Sequence, residues 1–192
     1  MARKPIPTTY VAAVVVQHGD RFLLVQERKR GSPWSLPAGR VEPGETMVEG
    51  AVRETLEESG VLVRVTGLLR IEHTPEDWRA RLRAVFVGVP EGDTTTKQQA
   101  DEESLGAAWV AIEELAAYPL RSQEVEQLLR YVSAGGPVYP LDLLRERGAP
   151  YGLARDEPNE SPEHSMGRRD SAIVRAARWL REAVAAADRE DE

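Results

Sequence analysis

Apolar and polar residues follow two different periods along this chain, and the first stretch predicts a β-hairpin. Residues 10–17 (YVAAVVVQ) are an apolar run rich in β-branched side chains, and Arg21–Gln26 (RFLLVQ) is a second, shorter run. The segment His18-Gly19-Asp20 between them is typical of a tight turn. Two such runs joined by a short turn predict adjacent antiparallel strands.

Later apolar runs predict a sheet of several strands with two helices. Residues 122–132 have helical spacing, with Ser122 as the N-cap and Val125, Leu128, Leu129 and Val132 on one face. The remaining predicted strands cover residues 34–36, 61–72, 79–89 and 107–112. Strands before and after a buried helix, with a second helix near the end, predict the α/β class, as an α/β/α sandwich around a mixed sheet.

The first helix has clear signals at both ends. Thr46 followed by Glu49 fits a capping box, and Gly60 suits the position just after a helix. These signals predict a helix over Met47–Ser59. One side of it carries an apolar stripe suited to packing on a sheet, formed by Val48, Val52, Thr55 and Leu56.

The other side of this helix is acidic. Glu54, Glu57 and Glu58 share one face because residues three and four apart are neighbours on a helix. Arg53 stands four residues before Glu57 and can pair with it. Hard oxygen ligands that leave coordination positions open suit Mg²⁺ or Mn²⁺. A zinc site is excluded, because the chain has no cysteine and its three histidines are far apart in sequence.

The loop before the helix predicts close contact between backbone and ligand. Pro37 interrupts strand pairing, and Gly39 has no side chain to keep a ligand away. Glu45 is expected to orient the site rather than bind metal. Arg40 and Arg28 are candidate substrate residues, because guanidinium groups suit phosphate oxygens.

The segment from Gly39 to Gly60 fits the spacing Gly-x5-Glu-x7-Arg-Glu-x2-Glu-Glu-x-Gly. This pattern resembles the signature of the Nudix hydrolases, which cleave nucleoside diphosphates linked to another group. The resemblance implies the Nudix α/β/α sandwich and Mg²⁺ or Mn²⁺ as cofactor. It implies metal ligation by the Gly39 carbonyl, Glu54, Glu57 and Glu58, with Arg53 orienting Glu57. Thr55 departs from the family pattern, which more often has an aliphatic residue there.

The resemblance also implies a carboxylate in the loop before residues 107–112 that meets the metal cluster or acts as general base. Glu102 and Glu103 are the candidates, with Glu58 as a competing base. Trp34 and Phe86 are candidates for stacking on a nucleobase, although aromatic residues in strands more often belong to the core.

The match extends over about residues 11–130. The runs WSLPAGRVEPGET, RLRAVFV, ADEESLGAAWV and PLRS are together similar to the Nudix branch that hydrolyses 8-oxo-guanine nucleoside diphosphates to monophosphates. Pro75 lies fifteen residues after Gly60. This spacing leaves open the alternative that the chain is an ADP-ribose or other nucleoside-diphosphate-sugar pyrophosphatase. A non-catalytic nucleotide sensor is disfavoured because the helix retains all three glutamates.

The composition limits the classes of partner that are expected for this chain. The net charge of −7 argues against a broad nucleic-acid surface, which needs clustered lysine and arginine. The sequence contains no run of about 18 apolar residues, so no membrane-spanning helix is predicted. The N-terminus MARKPIPTT lacks the apolar part of a secretion signal, so cytoplasm is the expected compartment.

The chain of 192 residues divides by composition into three parts. Residues 1–147 are the predicted Nudix domain, and the polar segment 148–169 is a predicted disordered linker. Residues 170–192 predict an amphipathic helix with an acidic end. This helix could pack on its own domain or on a second copy of the chain, so a homodimer is one expectation; its arginines also permit a membrane-surface alternative, which is the less favoured one.

Overall fold

A computed structural model describes residues 5–145 and 147–149 of the chain, and all its helices and strands lie within one compact unit, Met1–Leu143. Two 3₁₀ turns, Ile112–Ala117 and Leu141–Leu143, accompany them. In chain order the elements are β1 (Thr8–His18), β2 (Arg21–Gln26), β3 (Trp34–Ser35), β4 (Ala38–Arg40), α1 (Met47–Ser59), β5 (Val63–Pro75), β6 (Ala80–Pro90), β7 (Gly106–Ala111) and α2 (Gln123–Ser133).

The strands form one mixed sheet built around β1. This strand pairs in parallel with β6, from Thr8 opposite Ala80 to Val16 opposite Gly88. It pairs antiparallel with β2 at its far end and with β4 near its middle. The outer strands are β5 beside β6, and β3 and β7 beside β2. The predicted mixed sheet is therefore confirmed.

Helix α1 begins and ends where the capping signals predict. The Thr46 side chain accepts from the Glu49 N–H, and the Glu49 carboxylate accepts from the Thr46 N–H, at 3.1 and 2.9 Å. Gly60 ends the helix with φ 76, a conformation that favours glycine. Thr55 is fully buried, and its hydroxyl donates to the Ala51 carbonyl at 2.7 Å, which satisfies the polar group that replaces an aliphatic side chain.

The two α-helices cover opposite faces of the sheet. Gly39 of β4 lies opposite Ala12 of β1, and a side chain at Gly39 would project onto Glu54 of α1. Val15 lies three positions after Ala12 and therefore points the other way, into a core cluster that includes Leu128 of α2. The predicted α/β/α sandwich is confirmed.

The differences from prediction lie at strand ends and in short elements. Strand β5 runs to Pro75, three residues beyond the predicted end at 72. Neither β4 as a separate strand nor the turn Ile112–Ala117 was predicted, because both depend on contacts with distant segments. No helix of the described part is long and apolar enough to cross a membrane. The predicted helix over 170–192, and nearly all of the predicted linker over 148–169, lie outside the described residues.

Candidate active site

Arg53 of α1 connects three glutamates of the predicted site. Its Nε donates to Glu45 Oε1 at 2.7 Å, and its Nη1 donates to Glu57 Oε2 at 2.7 Å and to Glu54 Oε1 at 3.1 Å. Its Nη2 donates to the Arg40 carbonyl at 2.9 Å. The hydrogen bond that Arg53 donates to Glu45 is the main cause that raises the pKa of the guanidinium, so its charge is permanent. One mostly buried guanidinium thus joins the helix to the preceding loop and orients two of its carboxylates.

Glu54 lies directly against the backbone of Gly39. A Cβ atom built on Gly39 would be 1.9 to 2.1 Å from the three atoms of the Glu54 carboxylate. No side chain can occupy that space while the carboxylate stays in place. The close approach predicted for Gly39 is therefore made to a carboxylate of the helix.

Glu58 is the most deeply buried carboxylate of the helix face. Its Oε2 accepts from the Ala38 N–H at 2.9 Å. Burial, the largest cause, and the charges of Glu54, Glu27 and Glu103 raise the pKa of Glu58 to about 8, although the hydrogen bond from the Ala38 N–H lowers it. Without an added positive charge, this carboxyl is largely protonated at neutral pH.

The other two helix carboxylates show the same excess of negative charge. Burial raises the pKa of Glu54 and of Glu57, Arg53 opposes both shifts, and the charge of Glu103 adds to both. Glu54 and Glu57 thus share a single guanidinium with Glu45, while Glu103 adds further negative charge. A cation bound among them would relieve this repulsion.

The negative charge and the oxygen donors of these residues suit a divalent cation. The side chains are not, however, already arranged around a metal position. Within 5–145 and 147–149, no three Asp, Glu or His side chains meet at metal-ligand distances. Arg53 holds Glu54 and Glu57, and the Ala38 N–H holds Glu58, so the carboxylates are directed at protein donors. Oxygen ligands alone favour Mg²⁺, Mn²⁺ or Ca²⁺ over softer metals. Binding would require the carboxylates to turn from these partners toward the ion.

The loop glutamates differ in their relation to the helix. Both Glu102 and Glu103 are exposed. The charge of Glu103 raises the pKa of Glu54, Glu57 and Glu58, whereas Glu102 is not among the main contributors to any of these shifts. The structure therefore brings Glu103 toward the acidic face more closely than its neighbour.

A basic cleft of about 350 Å³ lies along β4. Gly39 and Arg40 both line it, and consecutive residues of a strand point to opposite sides of the sheet. Gly39 therefore faces Glu54, and Arg40 faces away from α1. The charged residues that line the cleft are Lys29, Arg40, Glu76, Arg79, Arg81 and Arg121.

Two of these cations are available to a ligand. Arg79 pairs with Glu76 at 2.6 Å, and Lys29 and Arg121 both pair with Glu27 at 2.8 Å. The guanidinium groups of Arg40 and Arg81 have no ion-pair or hydrogen-bond partner in the described part of the chain. The cleft therefore offers two unpaired guanidinium groups next to the Gly39 backbone.

The two aromatic residues predicted to stack on a nucleobase do not line the cleft. Phe86 as a substrate residue is wrong: its side chain is 0% exposed in β6, opposite Val14. A strand in the middle of a sheet with a helix on each face has no free side from which an aromatic ring can reach a ligand. Trp34 is half-buried, packs edge-on against Tyr118 with ring centroids 5.0 Å apart, and does not line the basic cleft.

Arg28 does not line the basic cleft either. Its Nη1 donates to the Asp101 carbonyl at 2.5 Å, so it contacts the loop that carries Glu103. The cleft is also lined by Lys29, Arg79 and Arg121, which the sequence pattern did not predict as substrate residues. For Arg121 a signal existed, since it belongs to the PLRS run that carries part of the Nudix resemblance.

The metal-free protein is expected to become less stable as the pH rises. A carboxyl whose pKa is raised to about 8 by the fold binds its proton more tightly in the folded than in the unfolded chain. Its contribution is complete below the usual value of 4.5 and is lost as the pH rises to about 8. We expect the free energy of unfolding in chelator to fall by a few kcal/mol over this range, at about 1.4 kcal/mol per pKa unit.

Chemical denaturation at pH 5.5, 7 and 8.5 measures this dependence. Glu58→Gln should flatten most of it, and saturating Mg²⁺ should reduce it in the unmodified chain by replacing the proton's charge. Carboxyls with lowered pKa values, such as Glu45, act below pH 4.5 and do not interfere. Equal slopes for the unmodified chain and Glu58→Gln in chelator would contradict the assignment.

Comparison with known proteins places this arrangement in a family. The chain is 43% identical over 123 residues to 8-oxo-dGDP phosphatase NUDT18 of Homo sapiens, covering 62% of this chain but only 36% of that protein. It is 34% identical over 148 residues to Phosphatase NudJ of Escherichia coli O1:K1 / APEC, covering 76% of this chain and 95% of that protein. The chain thus spans about a third of the length of the NUDT18 relatives it matches.

A solved structure agrees with the fold. The NUDIX hydrolase from Nitrosomonas europaea superposes with a TM-score of 0.61 at 32% identity, covering 73% of this chain and 97% of that one. A family model described as NUDIX domain matches residues 7–131, which contain β1 to β7, α1 and most of α2. Members of this family generally require a divalent metal. By its sequence, its fold and the arrangement around Arg53, this chain belongs to the NUDIX family.

Proposed function

We propose that this chain is a Mg²⁺- or Mn²⁺-dependent hydrolase that converts a nucleoside diphosphate derivative to a nucleoside monophosphate. The observation that carries the proposal is the pairing of an acidic helix face with a basic cleft across β4. Glu54 rests on Gly39 on one side, and Arg40 lines the cleft on the other. A metal-binding surface beside unpaired guanidinium groups suits a substrate with a polyphosphate chain.

The helix carboxylates are the proposed metal ligands. Glu54, Glu57 and Glu58 supply oxygen atoms, and the Gly39 carbonyl is a further candidate because its backbone touches the Glu54 carboxylate. A bound divalent cation supplies positive charge to the phosphoryl oxygens and acidifies the attacking water. Arg53 keeps the carboxylates oriented through its bonds to Glu57 and Glu54.

The proposed general base is a carboxylate near this face. Water attacks phosphorus, the phosphoanhydride bond breaks toward the leaving phosphate, and the water's proton passes to a carboxylate oxygen. Glu103 has a stronger claim than Glu102 because its charge acts on all three helix glutamates. Glu58 remains the competing candidate, with one oxygen already accepting from the Ala38 N–H.

The basic cleft is the proposed substrate site. Arg40 and Arg81 would bind phosphate oxygens, since their guanidinium groups have no partner among the described residues and line the same space. The likeness to 8-oxo-dGDP phosphatase NUDT18 supports an 8-oxo-guanine nucleoside diphosphate as the preferred substrate. The alternative is an ADP-ribose or other nucleoside-diphosphate-sugar substrate. Pro75 supports this alternative: it pairs with Ala80 and precedes Glu76, and both of these residues line the cleft.

A turnover screen tests the proposal. Release of nucleoside monophosphate and phosphate is measured with Mg²⁺ and with Mn²⁺ on 8-oxo-dGDP, dGDP, the corresponding triphosphates, ADP-ribose and NADH. We expect 8-oxo-dGDP to give the highest kcat/KM, with no turnover in chelator. A preference for ADP-ribose would transfer the chain to the alternative, and no turnover of any compound would overturn the hydrolase proposal.

A further inference from the structure

The loop between β6 and β7 holds the C-terminal end of α1 through three consecutive carbonyls. Lys97 N donates to the Ser59 carbonyl at 2.8 Å, and Ser104 Oγ donates to the Glu58 carbonyl at 2.6 Å. Lys97 Nζ donates to the Glu57 carbonyl. The last carbonyls of a helix have no partners within the helix, so the loop satisfies groups that would otherwise need water.

The same loop is organised internally around Asp101. Its Oδ1 accepts from the Glu103 and Ser104 N–H groups at 2.9 and 3.1 Å, and its Oδ2 pairs with Lys97 Nζ at 2.5 Å. The Lys97 side chain is 16% exposed. This ammonium group therefore ties the end of α1 to the turn that carries Glu103.

These contacts join the two acidic parts of the candidate site. Two of the three carbonyls belong to Glu57 and Glu58, whose side chains form the acidic helix face. The other acidic part is Glu103, whose N–H donates to Asp101 Oδ1, the same carboxylate that pairs with Lys97. A cation here also suits a helix C-terminus, where the backbone dipole is negative.

We propose that Lys97 is a positioning residue that holds Glu103 against the acidic face of α1, with Ser104 as its support. This inference rests on the proposed hydrolase function. Lys97 touches backbone and Asp101 rather than substrate, so it acts through Glu103. A lysine that merely caps the helix would instead lower stability and activity independently of Glu103.

A double-mutant cycle separates these two roles. If Glu103 is displaced by well under the ~1 Å that costs about 10²-fold, Lys97→Met should lower kcat about 10-fold with KM little changed. Glu103→Gln should lower kcat about 10²-fold, a typical contribution of a general base. In the double variant, kcat should equal that of Glu103→Gln alone, because Lys97 then has no base to position.

The controls use the same chain. Glu113→Gln removes an exposed charge outside the candidate site, and Lys97→Met should retain its full 10-fold effect in that background. Asp101→Asn, which keeps the shape but weakens the tie to Lys97, should behave like Lys97→Met and serves if that variant unfolds. A full 10-fold loss from Lys97→Met in the Glu103→Gln background would overturn the proposal.

Hydrogen exchange supplies a readout that needs no substrate. Lys97→Met should speed amide exchange over residues 101–105 while the middle of α1 stays protected. Unchanged exchange there would overturn the inference whatever the turnover. Absence of turnover in the unmodified chain would instead refute the hydrolase function, so the two failures are distinguishable.

Discussion

Replacement of Glu57 by glutamine is expected to lower kcat by about 10³-fold, because Glu57 is a proposed metal ligand and its loss should remove about 4 kcal/mol of transition-state stabilisation. Glutamine keeps the size of the side chain and an oxygen that can accept from Arg53, whose Nη1 lies 2.7 Å from Glu57 Oε2. The fold should therefore persist. Steady-state turnover of 8-oxo-dGDP and thermal unfolding of both forms measure the two effects.

The chain contains a matched control for this substitution. Glu126 pairs with Arg130 four residues away on α2 at 2.8 Å, as Glu57 pairs with Arg53 on α1. Glu126→Gln removes the same kind of helical ion pair and should leave kcat unchanged. Activity of Glu57→Gln within a factor of a few of the unmodified chain would refute Glu57 as a metal ligand.

The local parts of the fold could be predicted from the sequence. Helix α1 was predicted over Met47–Ser59, as observed, because its boundaries depend on Thr46, Glu49 and Gly60 within the segment itself. Strand β2 was likewise predicted over Arg21–Gln26. In contrast, β4 consists of three residues that pair with β1 about 27 positions earlier. No local pattern of so short a segment can specify such a pairing.

The same distinction between local and distant contacts explains which parts of the candidate site could be predicted. The Arg53–Glu57 pair was predicted because residues four apart on a helix are neighbours. The bonds of Lys97 and Ser104 to the end of α1 join residues about 40 to 46 positions apart, so the sequence did not predict them. Phe86 was assigned to substrate because aromatic character suggests stacking. The sequence predicts helices on both faces of the sheet, but it does not show that β6 lies inside that sheet between β1 and β5.

Strand β4 separates the acidic part of the candidate site from its basic part. Strand β4 is three residues long, yet Gly39 contacts the acidic helix and Arg40 lines the basic cleft. The Arg53 Nη2–Arg40 carbonyl bond of 2.9 Å fixes the strand to α1. The cations of the cleft and the carboxylates of α1 therefore lie on opposite sides of a strand that is fixed in place.

Alanine at Gly39 is expected to lower kcat by about 10²-fold with little loss of stability, since displacement of a reacting group by about 1 Å has effects of this size. The new Cβ would lie 1.9 Å from the Glu54 carboxyl carbon, so that carboxylate must move. It is the end of a flexible side chain, so the backbone need not shift. Turnover and chemical denaturation of Gly39→Ala measure the two predictions.

Gly136→Ala is the matched control, because its Cβ would lie 2.5 Å from the half-exposed Tyr131 ring, outside the candidate site. It should move a side chain in the same way and leave kcat unchanged. In a Glu54→Gln background, Gly39→Ala should lower kcat little further, because the group it displaces is already impaired. A full 10²-fold loss in that background would show that Gly39 acts through its own carbonyl or the strand rather than through Glu54.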